Sequence, residues 1–154
     1  MVTAAEVKNL REETGAPVME IRRALMETDG NVKEAKEILK QKGLEKVEKR
    51  AERETAQGII ESYIHSDARV GAMVHLACET DFVARTDEFK TLARELAMQV
   101  AAMDPQSVEE LLDQEYIRDS EKKITDLVAE VIAKTGENIQ VKRISRFSLS
   151  DQLK

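Results

Sequence analysis

Hydrophobic positions in the N-terminal part of the chain recur at helical spacing in three short stretches. Thr3 and Glu6 have the spacing of an N-terminal capping box, and Gly15 stands where a glycine is expected to end the first helix. Gly43 is expected to close the third helix in the same way. We therefore predict a three-helix module over residues 1–43. Its predicted apolar stripes contain Val7, Leu10, Val18, Ile21, Ala24, Leu25, Val32, Ala35, Ile38 and Leu39.

A charged segment follows this module. Residues 44–54 hold four acidic, four basic and three apolar residues. That mixture is typical of a solvated helix or tether with ion pairs between residues four positions apart. We interpret residues 44–55 as a charged linker.

The pattern changes to strand-like alternation after Ala56. The segments Gly58–His65 and Val70–Cys78 read as two strands, and the turn residues 66–69 between them predict a hairpin. Alternation in the second strand assigns its side chains to two faces. One face is expected to carry Ala72, Val74, Leu76 and Cys78, and the other Met73, His75 and Ala77.

Helical spacing returns at Thr86, a good N-cap for a long amphipathic helix that should end at Asp104. Its predicted buried stripe is Phe89, Leu92, Ala93, Leu96, Ala97 and Val100. A short acidic helix after Ser107 and a long helix ending at Gly136 should follow. Residues 139–147 have the β-branched content of a third strand.

These elements predict an α+β fold. A three-helix module of the ubiquitin-associated type is followed by a small antiparallel sheet packed with helices. The core, which is also the expected dimerisation domain, should cover residues 56–148. Residues 149–154 are interpreted as a C-terminal tail.

Charge and composition narrow the possible partners. The formal net charge is −6, with only 3% aromatic residues and no tryptophan. Direct nucleic-acid binding is therefore not expected, because neither a long basic stripe nor a set of stacking aromatics is present. The acidic excess lies in residues 104–130, which hold nine acidic and three basic side chains.

A single cysteine and the absence of long apolar runs indicate where the protein works. Cys78 has no second cysteine with which to form an internal disulfide, which fits a reducing compartment. The N-terminal residues lack the pattern of a signal peptide, and no run approaches the roughly 20 apolar residues that span a bilayer. We expect a cytoplasmic protein without a membrane contact.

The reactive side chains do not form a convincing catalytic or metal site. Cys78, His75, Glu79 and Asp81 are the only local cluster of reactive types, and strand alternation puts His75 and Cys78 on opposite faces. His65 and His75 make a weak metal signal without a nearby cysteine pair. The glycines do not match a phosphate-binding loop. We predict a protein that is not an enzyme and has no metal or cofactor.

The segment Thr80-Asp81-Phe82-Val83 carries the strongest functional signal. It places a large aromatic side chain where the chain crosses the surface between a strand and a helix. Phe82 could either fill the core beneath the helix or stand exposed as a binding hot spot beside an acidic residue. The residue types alone leave both readings open.

Three motifs resemble the translation elongation factor Ts family. They are Leu76-Ala77-Cys78-Glu79-Thr80-Asp81-Phe82-Val83-Ala84-Arg85, Leu10-Arg11-Glu12-Glu13-Thr14-Gly15-Ala16 and Gly136-Glu137-Asn138-Ile139. The resemblance covers residues 3–103 and 124–147 in the same order. The family's fold, a ubiquitin-associated-like module followed by a sheet-and-helix core, agrees with the pattern of elements.

The resemblance implies a function and a set of contacts. Family members exchange guanine nucleotide on elongation factor Tu: they bind its GDP form, loosen Mg²⁺ and GDP, and leave when GTP enters. Thr80, Asp81, Phe82 and Val83 match the family segment assigned to Mg²⁺ displacement. Val18 and Met19 would contact the partner's nucleotide domain, although Val18 could also be a core residue.

This chain departs from the family after Met103. Family members commonly carry a second copy of the core or a protruding helical pair there, whereas this chain has only the acidic stretch 104–123. Because a single small core could complete a larger sandwich by self-association, a homodimer is our hypothesis.

Two other classes of function remain alternatives. The three-helix N-terminus alone would suit a ubiquitin-like or nascent-chain binding module, which leaves residues 56–147 unexplained. A small hydrolase would have to use Cys78 or His75.

Overall fold

Residues 1–151 are described in the computed structural model. They form seven helices: α1 (Ala4–Thr14), α2 (Val18–Glu27), α3 (Val32–Arg50), α4 (Asp81–Ala84), α5 (Asp87–Met103), α6 (Val108–Asp113) and α7 (Ile124–Thr135). They also form five strands: β1 (Gln57–Ile64), β2 (Val70–Cys78), β3 (Glu115–Tyr116), β4 (Asp119–Lys123) and β5 (Ile139–Ser148). The chain divides into two compact units, one of residues 1–53 and 129–137, the other of residues 54–128 and those from 138 onward. The predicted α+β class is confirmed.

The ends of α1 follow the predicted capping rules. The Thr3 hydroxyl oxygen accepts the Glu6 amide N–H at 3.2 Å, and the Glu6 carboxylate accepts the Thr3 amide N–H at 2.8 Å. These hydrogen bonds, chiefly that from the Thr3 backbone, lower the pKa of the Glu6 carboxyl because they favour its charged form. Gly15 ends the helix in the left-handed region at φ 69°.

The three N-terminal helices enclose a small core. Its buried members are Leu10, Ala16, Ile21, Ala24, Leu25, Ala35 and Leu39. Val18 and Val32 were predicted within the same stripes, but each is 37% exposed. Each is the first residue of its helix, and neither belongs to the packed cluster, so helical spacing alone overestimated their burial.

Helix α3 does not end at Gly43, so that prediction is wrong. The helix continues to Arg50, because Gly43 is flanked by strong helix formers and stays in a helical conformation. Lys46 pairs with Glu20 at 2.5 Å, and the Arg50 guanidinium donates to the Ile132 carbonyl at 3.3 Å. The segment interpreted as a linker is therefore helical as far as Arg50.

The sheet has the order β1-β2-β5 and is antiparallel, with β2 in the centre. This confirms the predicted hairpin and the third strand. All six predicted stripe residues of α5 are buried, as are Ala72, Val74, Leu76 and Cys78 of β2. Ala77 is buried too, although the uninterrupted alternation of β2 puts it on the same face as Met73 and His75.

The hairpin of β3 and β4 was not predicted. Its strands have few buried positions, so they lack the apolar alternation that identifies strands. The hairpin is held instead by Gln99, a fully buried residue of α5 that hydrogen-bonds to its backbone. Its amide nitrogen donates to the Glu115 carbonyl at 3.0 Å, and its amide oxygen accepts the Ile117 N–H at 3.1 Å.

Within residues 1–151, every helix is too short or too polar to span a membrane.

Candidate functional site

Helix α4 is a single turn that follows β2 almost directly. The Thr80 hydroxyl oxygen caps it by accepting the Val83 N–H at 3.4 Å, and the Thr80 carbonyl accepts the Ala84 N–H at 3.3 Å. Thr86 then caps α5 by accepting the Phe89 N–H at 3.3 Å. A helix of four residues has little stability alone, so its orientation depends on these caps and on its buried side.

The two faces of α4 differ sharply in exposure. Val83 and Ala84 are 8% and 6% exposed and anchor the turn to the interior, whereas Phe82 is 81% exposed. The reading in which Phe82 fills the core is therefore wrong. A phenylalanine ring held out on an anchored turn is available to another surface.

The four motif residues thus have different environments. Asp81 and Phe82 are exposed, Thr80 is half-buried, and Val83 is buried, so Val83 cannot meet a partner without rearrangement. The Asp81 carboxylate pairs with the Arg85 guanidinium at 3.2 Å on the open surface. Because both side chains are well exposed, this pair contributes little to stability.

Cys78 and His75 do not form a reactive pair. Cys78 is fully buried, and its thiol donates to the Thr80 carbonyl at 3.1 Å. His75 lies opposite Ile60 on the outer face of the sheet. The prediction that Cys78 is a core residue is confirmed, and the hydrolase alternative loses its nucleophile. The described part of the chain contains no group of three or more histidine, cysteine, aspartate or glutamate side chains arranged to hold a metal ion.

The second predicted contact surface lies on α2, in the other compact unit. Val18 is 37% and Met19 is 67% exposed. A shallow groove of about 520 Å³ runs along this helix, lined by Met19, Arg22, Arg23, Met26 and Glu27. Met26 is 68% exposed and was missed, although its spacing of seven residues from Met19 indicates the same helix face.

An exposed ring on a capped turn and an exposed methionine face on a helix are features typical of protein-binding surfaces.

Comparison with known proteins is consistent with such surfaces. The family model described as Elongation factor TS matches residues 79–154. Proteins called elongation factor Ts from Thermodesulfovibrio yellowstonii and Thermotoga neapolitana are 41% and 40% identical to the chain, over 96% and 95% of it and 96% of each relative. One from Coprothermobacter proteolyticus is 39% identical over 97% of the chain and 99% of the relative. The chain belongs to the elongation factor Ts family.

The relatives contain residues that this chain lacks. The alignments extend over 189 to 195 positions, whereas the chain has 154 residues. The difference requires gaps in this chain, so the relatives carry additional segments within the aligned region.

Proposed function

We propose that this protein is a guanine-nucleotide exchange factor for elongation factor Tu in translation elongation. It binds the GDP form, displaces Mg²⁺ and promotes release of GDP so that GTP can bind. The family membership supports the general role. The observation that carries the mechanism is the 81% exposure of Phe82 on an anchored turn.

The ring can act without any catalytic group. Burying a phenylalanine side chain in a partner is worth on the order of 1.5 to 3 kcal/mol, which is available to move elements near the partner's nucleotide site. Mg²⁺ neutralises the phosphates of bound GDP and needs nearly ideal octahedral geometry. A small displacement of its ligands therefore weakens both the metal and the nucleotide.

The scheme requires reciprocal coupling between the two ligands of elongation factor Tu. If this factor lowers the affinity for GDP, GDP lowers the affinity for the factor by the same ratio. The ternary complex is thus a transient state. Entry of GTP can then complete the cycle by releasing the factor.

The decisive experiment measures release of a fluorescent GDP from elongation factor Tu by stopped flow. We expect this protein to accelerate release and Phe82→Ala to lose most of that acceleration. Met103→Ala is the control, because Met103 is also an exposed apolar side chain, 49% exposed, but stands at the far end of α5. No acceleration by the parent protein contradicts the function. Equal acceleration by parent and Phe82→Ala contradicts the site.

We also propose that two copies associate through the outer face of the sheet. Directly paired residues of an antiparallel sheet share a face, and the register puts Ile60, Ile64, Met73 and Phe147 on the same side. They are 68%, 62%, 48% and 72% exposed. An identical set of side chains on a second copy is a self-complementary partner for these four residues, and pairing would bury both sets.

A further inference from the structure

One residue, Glu79, joins the end of β2 to the cap of α4. It is half-buried, and its carboxylate accepts the Asn138 amide N–H at 2.8 Å, across 59 residues of sequence. Asn138 is only 2% exposed. Glu79 is thus tied to the residue just before β5.

The position of this hydrogen bond follows from the end of the strand ladder. The last pair between β2 and β5 is Cys78 with Ile139, so Glu79 and Asn138 would be next. There the backbone of β2 turns away into α4, and the ladder cannot continue. The Glu79 carboxylate supplies the acceptor for Asn138 instead. A buried N–H without an acceptor is costly, so this side chain secures both elements.

A second contact holds the same bend. The Cys78 thiol donates to the Thr80 carbonyl at 3.1 Å, and the Thr80 hydroxyl in turn caps α4. The direction in which the chain leaves the sheet is therefore fixed by side chains on both sides of Glu79. Phe82 lies only three residues beyond Glu79, within a turn too short to orient itself.

We propose that Glu79 is a positioning residue for Phe82. It acts through its hydrogen bond to Asn138, which determines where α4 stands and hence where the ring points. The inference rests on the proposed function, because it concerns the ring expected to enter elongation factor Tu.

The first test compares Glu79→Ala with Glu79→Gln in the fluorescent GDP release assay. We expect the alanine variant to lose on the order of tenfold in the rate of stimulated release, because its turn is no longer held. The glutamine variant should keep most of the rate, since its amide oxygen can still accept the Asn138 N–H. Glu110→Ala is the matched control. The Glu110 carboxylate also accepts a backbone N–H, that of Gln106 at 3.1 Å, but lies on α6 and should not affect release.

A double variant separates positioning from a general loss of structure. In a Phe82→Ala background, Glu79→Ala should cause no further loss, because the ring that it positions is gone. Parental activity in Glu79→Ala, or a fully additive loss in the double variant, overturns the proposal.

Amide hydrogen exchange tests the same idea without elongation factor Tu. In Glu79→Ala the amides of Val83 and Ala84 should exchange faster than in the parent, whereas amides in the middle of α5 should exchange at the parental rate. In Glu79→Gln the amides of Val83 and Ala84 should also exchange at the parental rate. Unchanged exchange in α4 of the alanine variant contradicts the positioning role. A parent protein that fails to accelerate GDP release from elongation factor Tu contradicts only the proposed function.

Discussion

Phe82 and Phe89 carry the same ring seven positions apart but have opposite environments. Phe89 is fully buried in α5, whereas Phe82 is 81% exposed. The burial of Phe89 is predictable because it begins a long apolar stripe. The exposure of Phe82 is not, since a four-residue turn has no stripe and the residue types fit either environment. The family resemblance favours the exposed reading.

Val18 and Val32 form a natural pair for testing the contact surface on α2. Each is the first residue of its helix and each is 37% exposed, but only Val18 adjoins Met19. We expect Val18→Ala to raise the concentration of factor needed for half-maximal GDP release by about threefold, because it removes apolar contact area. Val32→Ala should leave that concentration unchanged. Equal effects of the two substitutions would remove Val18 from the interface.

Two glycines should respond oppositely to alanine. Gly15 has φ +69°, and a Cβ there would lie 2.5 Å from Lys134 Cγ and 3.1 Å from the Glu130 carbonyl oxygen. Gly15→Ala should therefore lower the free energy of unfolding by about 2 kcal/mol. Gly43 lies within α3 with open space around it, so Gly43→Ala should raise that free energy by about 0.5 to 1 kcal/mol. Urea unfolding measures both, and destabilisation by Gly43→Ala would refute the continuous helix.

At the scale of elements, the longer helices and the main strands were predictable, but α4 and the hairpin of β3 and β4 were not. A long stripe of apolar residues at helical spacing, such as that of α5, predicts a helix because its buried positions follow the helical period. The hairpin is instead held by polar side chains: Gln99 bonds its backbone, and the Tyr116 hydroxyl donates to the Glu95 carboxylate at 2.5 Å. Those contacts join residues more than 15 positions apart, so no local sequence pattern predicts the hairpin.

Tyr116 should make the hairpin sensitive to alkaline pH. Burial, and then its hydrogen bond to the Glu95 carboxylate, raise the pKa of the Tyr116 hydroxyl above its ordinary value. The pKa of the Tyr116 hydroxyl is higher in the folded than in the unfolded protein. Its contribution to the free energy of unfolding is therefore complete below the unfolded pKa and declines as the pH rises above about 10. We expect Tyr116→Phe to lower the free energy of unfolding by about 1 kcal/mol at neutral pH.

In Tyr116→Phe the free energy of unfolding should also decline less above pH 10, because only the parent loses the contribution of the Tyr116 hydroxyl there. Unfolding curves at pH 7 and at alkaline pH provide both comparisons. Parallel pH profiles for the two proteins would show that Tyr116 does not titrate in this way.

At the scale of the whole molecule, the outer face of the sheet sets the expected oligomeric state. Ile60→Glu would place a charge within the proposed contact, which should convert a dimer into a monomer. Met26→Glu is a matched control, because both residues are 68% exposed and Met26 lies on α2. Light scattering at micromolar concentration gives the masses. A monomeric parent protein, or a dimer that survives Ile60→Glu, contradicts association through this face.

The sealed thiol of Cys78 offers a natural reporter on the neighbouring motif. Cys78 is the only cysteine of the chain, it is fully buried, and it contacts Thr80 at the base of α4. A maleimide can reach it only when the end of β2 opens, so the labelling rate of the unmodified protein measures how often that opening occurs. The chain therefore needs no engineered probe to report opening at the base of α4.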